Sequence, residues 1–140
     1  MDSQKILLLI CNTHIDPQIG AHEKVISLPL GVKHRHKLFE RLTDILAKNL
    51  PKTKILTINN SGWGDRTKIN QLVSEAFNHT VKNSYHSKSS FTDHYEEMAQ
   101  SRFVLCPSGL GMDSYRIWEA LIVGAIPIVE CNEGQPIVDT

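Results

Sequence analysis

The chain alternates short apolar runs with longer stretches in which apolar residues recur every three or four positions. Apolar runs bounded by Gly, Pro, Asn or Asp are typical of buried strands in a parallel sheet. They predict strands at residues 5–11, 24–28, 54–59, 102–106 and 125–130. Val81 and Tyr85 are compatible with one further short strand within the polar stretch at residues 78–90.

Helical spacing fills the intervals between these runs. It predicts a first helix at residues 37–49 and a last one at residues 114–123. Asp65 is suited to cap a second helix, and Ser90 or Thr92 a third. The inward residues of the first three helices are predicted to be Leu38, Leu42, Ile45 and Leu46; Ile69, Leu72, Val73, Ala76 and Phe77; and Phe91, Tyr95, Met98 and Ala99.

Strands and helices that alternate in this way are typical of an α/β fold, in which helices flank a mostly parallel sheet. A length of 140 residues suits one domain, residues 1–140. The sequence ends soon after the last predicted strand, although a further helix usually covers that edge of such a sheet. We therefore expect the domain to be truncated at its C-terminus.

Composition narrows the classes of function. Fifteen basic residues balance fifteen acidic ones, which argues against general nucleic-acid binding. The longest apolar run, residues 6–11, is too short to cross a membrane and has no basic leader before it. Three cysteines without CxxC spacing favour neither a zinc site nor a disulfide framework, and we expect Cys11, Cys106 and Cys131 to be buried thiols.

The segment CPSGLGMDSYRIWEAL, residues 106–121, is the strongest candidate for a binding site. It joins a predicted strand to a predicted helix through a loop that contains Gly109 and Gly111. Ligands of open α/β sheets bind beyond the carboxyl ends of strands, where a helix N-terminus offers unpaired N–H groups to an anion. The spacing is neither that of a Walker A motif nor GxGxxG, so the residues alone predict an anion-binding loop of no specified type.

Two charged residues share the narrow polar side of the helix that follows. Arg116 and Glu119 are three positions apart, while the rest of this helix is predicted to be buried. A guanidinium group suits phosphate oxygens, and a carboxylate can accept hydrogen bonds from two ribose hydroxyls. The pair is therefore either part of a nucleotide site or a surface ion pair, and the residues leave both interpretations open.

Residues 95–130, YEEMAQSRFVLCPSGLGMDSYRIWEALIVGAIPIVE, resemble the nucleotide-sugar-binding signature of exostosin-like glycosyltransferases, including ribitol-xylosyltransferase-like members. The matching positions are Tyr95, Ser101, Phe103, Leu105, Pro107 and Gly109, followed by Ser114, Arg116, Trp118, Glu119, Ala120, Leu121, Gly124, Ile126 and Pro127. Weaker similarity upstream extends the resemblance over residues 24–131.

The resemblance implies the Rossmann-like C-terminal half of a GT-B glycosyltransferase, which binds a nucleotide-diphosphate sugar, usually a UDP-sugar. Carried over by position, Glu119 would hold the ribose and Arg116 the diphosphate. The phosphates would also meet Ser114 and the loop residues Ser108, Gly109 and Gly111, with Arg66 as a second cation. The family generally needs no metal or other cofactor, and no acidic DxD pair occurs here.

Two departures from the family pattern leave alternatives open. Ser108 stands where many relatives have a basic residue, so Arg66 would have to supply that charge. The acceptor domain, which would bind a glycan or polyol and supply the general base, lies outside this sequence, so no catalytic residue is assigned. The alternatives are a non-catalytic sugar-nucleotide-binding module or a structural α/β domain that needs a partner chain. The compartment is equally open: cytoplasm if the chain is complete, Golgi lumen if it belongs to a longer animal-type enzyme.

Overall fold

The elements follow the predicted alternation of strands and helices. A computed structural model describes residues 9–12, 22–34, 37–61, 64–78, 82–83, 91–109 and 113–130. The strands within these residues are β1 (Leu9–Asn12), β2 (Val25–Leu28), β3 (Lys54–Thr57), β4 (Asn59–Asn60), β5 (Lys82–Asn83), β6 (Ser101–Leu105) and β7 (Ile126–Ile128). The helices are α1 (Leu38–Ala47), α2 (Arg66–Ala76), α3 (Phe91–Ala99) and α4 (Tyr115–Ile122).

Every strand pairing within the described ranges is parallel. β1 pairs with β2, β4 pairs with β5, and β6 lies between β3 and β7 in a three-stranded sheet. Phe103 of β6 is level with Leu56 on one side and Ile126 on the other. Because the carboxyl ends of parallel strands meet at one edge, β4, which follows β3, is brought close to the segments that follow β6 and β7.

Helices cover both faces of the three-stranded sheet. Side chains of β6 alternate between the faces, as strand geometry requires. Val104 and Cys106 join a first core with buried residues of α1, α3 and α4, while Leu105 joins a second core with Leu56 and Ile58. Partly buried side chains of α2 pack on this second core. The predicted α/β, Rossmann-like arrangement is thus confirmed.

Some local predictions need correction. Strand 54–59 is divided, because β3 ends its pairing with β6 at Thr57 and β4 pairs with β5 instead. Leu46 was predicted to face inward but is 50% exposed, since it lies in the last turn of α1, beyond the buried Leu38, Leu42 and Ile45. Asp65 occupies the N-cap position of α2 without a side-chain cap hydrogen bond.

The remaining corrections concern α2, α3 and the cysteines. Leu72 and Ala76 on α2 and Phe77 just beyond it are exposed although all three are predicted to face inward, because only Ile69 and Val73 of this stripe reach the second core. Thr92 lies inside α3 and so is not its cap. Cys106 is buried as predicted, whereas the Cys11 side chain and Cys131 lie outside what the structure describes. None of the described helices is long and apolar enough to cross a membrane.

Candidate functional site

The candidate site lies at the carboxyl edge of the sheet, around the segment that joins β6 to α4. This β6–α4 loop comprises residues 106–114, of which residues 106–109 and 113–114 are described. The predicted site residue Gly111 falls outside the described residues. The segment after β7 reaches the same edge, because β6 and β7 run in parallel, and Asn59 of β4 is joined to the site by a hydrogen bond from Arg116.

Arg66 is brought directly onto the β6–α4 loop. It is the first residue of α2, and its Nε donates a hydrogen bond of 2.9 Å to the carbonyl of Ser108. Nη1 donates a second, of 3.2 Å, to the hydroxyl of Ser61. A Cβ atom added to Gly109 would lie 3.3 Å from Nη2 of Arg66, a close contact that glycine avoids. Arg66, which the family resemblance places beside this loop, therefore contacts it directly.

Arg116 approaches the same region from the first turn of α4. Its Nη1 donates a hydrogen bond to the backbone carbonyl of Asn59 in β4. Burial lowers the pKa of Arg66, the positive charge of Arg116 lowers it further, and the carboxylate of Glu130 opposes this fall. The fold thus holds two guanidinium groups near enough to repel each other.

Glu130, for which the sequence pattern predicts no role in the site, holds the loop through Ser108. Its Oε1 accepts hydrogen bonds of 2.8 Å from the backbone N–H and 3.0 Å from the hydroxyl of Ser108. Oε2 also lies 3.1 Å from that hydroxyl. Glu130 lies just beyond β7, whereas the sequence predicts a strand over residues 125–130 that includes it, so the rule that ligands gather beyond strand ends did not identify it.

Asp113 anchors the other end of the loop and was also missed. One carboxylate oxygen accepts a hydrogen bond from the backbone N–H of Leu30, just after β2. The other accepts one of 2.8 Å from the indole N–H of Trp118 on α4. The start of α4 is thereby tied to the end of β2. The position of Asp113 just before a predicted helix was the sequence feature that could have identified it.

Ser114 at the N-cap of α4 and Glu119 within α4 have surroundings that differ from those expected. Ser114 precedes the helix in an extended conformation, and its buried hydroxyl has no hydrogen-bond partner in the part of the protein that is described. Glu119 is only 8% exposed, whereas the apolar Leu121 is 50% exposed. The prediction that Glu119 shares a solvent-facing side with Arg116 is therefore wrong, because that side of α4 turns inward toward Cys106 and β4.

A buried polar pair lies beneath Arg116. Asn59 is 2% exposed, and its side-chain nitrogen is 3.1 Å from Nδ1 of His94 on α3. Burial lowers the pKa of His94 to about 4, with a further contribution from the charge of Arg116 and an opposing one from Glu97. A neutral His94 accepts the amide hydrogen of Asn59 at Nδ1. The side-chain oxygen of Asn59 has no hydrogen-bond partner among the described residues.

The site therefore unites most of the sequence-predicted residues with three that were missed. Arg66 donates to Ser108 and lies beside Gly109, and Arg116 acts on Arg66 through its charge. The missed residues are Asn59, Asp113 and Glu130. Within the described ranges, no cluster of three or more His, Cys, Asp or Glu side chains is arranged to hold a metal ion.

Comparison with known proteins bears on the family. No curated protein matches the chain. The family model of the RXYLT1 C-terminal domain matches residues 40–137, which is most of the chain and includes β3 to β7 and all the described site residues from Asn59 to Glu130. This match confirms the resemblance to exostosin-like, ribitol-xylosyltransferase-like members. The chain belongs to the RXYLT1 C-terminal domain family and is a glycosyltransferase-related domain.

Proposed function

We propose that this domain binds the nucleotide-diphosphate-sugar donor, a UDP-sugar, of a GT-B glycosyltransferase. The observation that carries the proposal is the convergence of Arg66 and Arg116, from different helices, on the β6–α4 loop and the strand end beside it. The family match supports a glycosyltransferase, and the position at the carboxyl edge of a parallel sheet supports a nucleotide ligand.

Electrostatics support a diphosphate as the group between these arginines. The charge of Arg116 already disfavours that of Arg66, and a dianion bound by both guanidinium groups would convert this repulsion into attraction. The hydroxyl of Ser114 is a further hydrogen-bond donor for the same anion, since it has no described partner. The N-terminus of α4 adds the positive end of a helix dipole.

Glu119 is the proposed contact of the ribose. It lies one turn after Arg116 on α4, so a nucleotide whose diphosphate meets Arg116 would extend along the helix toward this carboxylate. Because Glu119 is only 8% exposed, little of its carboxylate is accessible to the ribose hydroxyls.

In the proposed reaction, an acceptor hydroxyl of a glycan or polyol displaces the nucleoside diphosphate at the anomeric carbon of the donor sugar. In this proposal, an N-terminal domain outside this chain binds the acceptor and supplies the general base. Arg66 and Arg116 would stabilise the negative charge that develops on the leaving diphosphate. Two fixed cations and a helix N-terminus supply this stabilisation without a metal ion.

Calorimetric titration of the chain with UDP and UDP-sugars tests the proposal. We expect binding that weakens by about 10- to 100-fold in Arg116→Ala, since a charged hydrogen bond contributes about 1.5–3 kcal/mol. Arg102→Ala is the matched control, because Arg102 is exposed near the opposite end of β6. Absence of UDP binding at millimolar concentration, or equal loss in both variants, would refute the proposal.

A second titration isolates the role of Glu119. If its carboxylate holds the ribose, Glu119→Gln weakens UDP binding but leaves inorganic pyrophosphate binding unchanged, because pyrophosphate has no ribose. A parallel loss of both ligands, together with a lower melting temperature, would instead assign Glu119 to the fold alone.

A further inference from the structure

Glu130 occupies an unusual position at the proposed donor site. Leu105 of β6 is level with Ile128 of β7, so Glu130 is carried two residues beyond the sheet, beside the β6–α4 loop. There its carboxylate accepts hydrogen bonds from the backbone N–H and the hydroxyl of Ser108. The Glu130 side chain is half-buried. The loop that is expected to bind an anionic ligand is thus already in contact with the carboxylate of Glu130 from its own chain.

The groups around this carboxylate are those that phosphate-binding loops use. A backbone N–H and a serine hydroxyl are common donors to phosphate oxygens. Arg66 donates to the carbonyl of the same Ser108, and Glu130 acts favourably on the charge of Arg66. Hydrogen-bond donors and positive charge therefore converge where the carboxylate lies.

We propose that the Glu130 carboxylate stands in for a donor phosphate at Ser108 and Arg66, and that the diphosphate displaces it on binding. This inference rests on the proposed function. One backbone N–H cannot bond fully to two anions, and a carboxylate left beside a phosphate would repel it. Glu130 must therefore turn away toward solvent when the donor binds.

The exchange has a consequence for selectivity. A ligand with a single negative charge only replaces the Glu130 carboxylate, so its binding free energy is small. A diphosphate also contacts Arg116 and therefore binds more tightly. The internal carboxylate thus favours ligands with two or more adjacent negative charges over monoanions. It also lowers the affinity for every anion, because each must first displace Glu130.

The experiment is a calorimetric titration of the full chain with inorganic pyrophosphate, comparing the natural sequence with Glu130→Gln. Glutamine is nearly isosteric and keeps an oxygen for the Ser108 N–H, but it has no charge. Removing the competing charge is expected to tighten pyrophosphate binding by about tenfold, a modest fraction of the repulsion between two charges near a protein surface. Glu96→Gln changes net charge equally at the Lys48 ion pair and should leave binding unchanged.

Unchanged or weaker pyrophosphate binding in Glu130→Gln overturns the inference, as does the absence of pyrophosphate binding in both proteins. Glu130→Ala gives a second comparison if the glutamine variant folds poorly, with the same expected direction. The amide resonance of Ser108 provides an independent readout: pyrophosphate should shift it strongly in the natural chain, as one acceptor replaces another.

Titrations with UDP separate this inference from the proposed function. If the natural chain binds UDP through Arg116 but Glu130→Gln has no effect on pyrophosphate, the donor site stands and the role of Glu130 is wrong. If Glu130→Gln tightens pyrophosphate binding while UDP binds no better than pyrophosphate, the carboxylate exchange stands and the nucleotide-sugar assignment is wrong.

Discussion

Replacing Asp113 with alanine should detach the β6–α4 loop from the end of β2. The carboxylate accepts hydrogen bonds from the Leu30 N–H and the Trp118 indole, and both donors would lose their partner. A hydrogen bond to a charged group contributes about 1.5–3 kcal/mol, and water can partly replace these half-buried bonds. We therefore expect the free energy of unfolding to fall by about 2–4 kcal/mol.

Asp113→Asn refines the test, because an amide can accept from only one of the two donors and turns its own N–H groups toward the other. Its expected loss is about 1–2 kcal/mol. Asp44→Ala, on the exposed side of α1, is the matched control and should stay within about 0.5 kcal/mol of the natural chain. Urea unfolding followed by circular dichroism measures all three variants. A loss below about 0.5 kcal/mol in Asp113→Ala would refute the reasoning.

Three further measurements test the packing around the site. Leu42→Ala, at a fully buried position of α1, should lower the free energy of unfolding by about 2–5 kcal/mol in urea, whereas Phe39→Ala, at 61% exposure on the same helix, should cost much less. The pKa of His94 is about 4 in the folded chain against about 6.5 in the unfolded chain, so the unfolded chain binds more protons between these pH values. The free energy of unfolding should therefore fall by up to about 3 kcal/mol as the pH is lowered from 6.5 to 4. A flat pH profile in the natural chain, or an equal slope in His94→Gln, would contradict this. Burial raises the pKa of Cys106 to about 12, so iodoacetamide at pH 8 should label this thiol only after unfolding, as peptide mass spectrometry would show.

The sequence predicted those features that depend on local periodicity. Apolar runs located the strands of the three-stranded sheet, and the spacing of Leu38, Leu42 and Ile45 identified the buried stripe of α1. Leu46 fits the same stripe but is exposed, because burial at a helix end depends on which neighbour covers it. Periodicity contains no information about that neighbour.

The site was predictable only in part, for the same reason. Glycines after a strand and the arginine that follows them indicated the β6–α4 loop, and Arg66 was connected to it through the family resemblance. The burial of Glu119 was not predictable, because it depends on how α4 is rotated against the sheet. The contacts of Asp113 with Leu30 join residues 83 positions apart, and no local pattern identifies such a pair.

The central position of β6 has a consequence for how the loop meets a ligand. This strand is hydrogen-bonded on both sides, and the ladder continues past its end, where the Cys106 N–H donates to the Ile128 carbonyl over 2.8 Å. Backbone amides held in this way are among the slowest in a domain to exchange with solvent deuterium. The first residue of the loop is thus held by the sheet, and the Ser108 backbone beyond it is held by Glu130 and Arg66, so part of the conformational entropy that a ligand there would otherwise cost is already lost during folding.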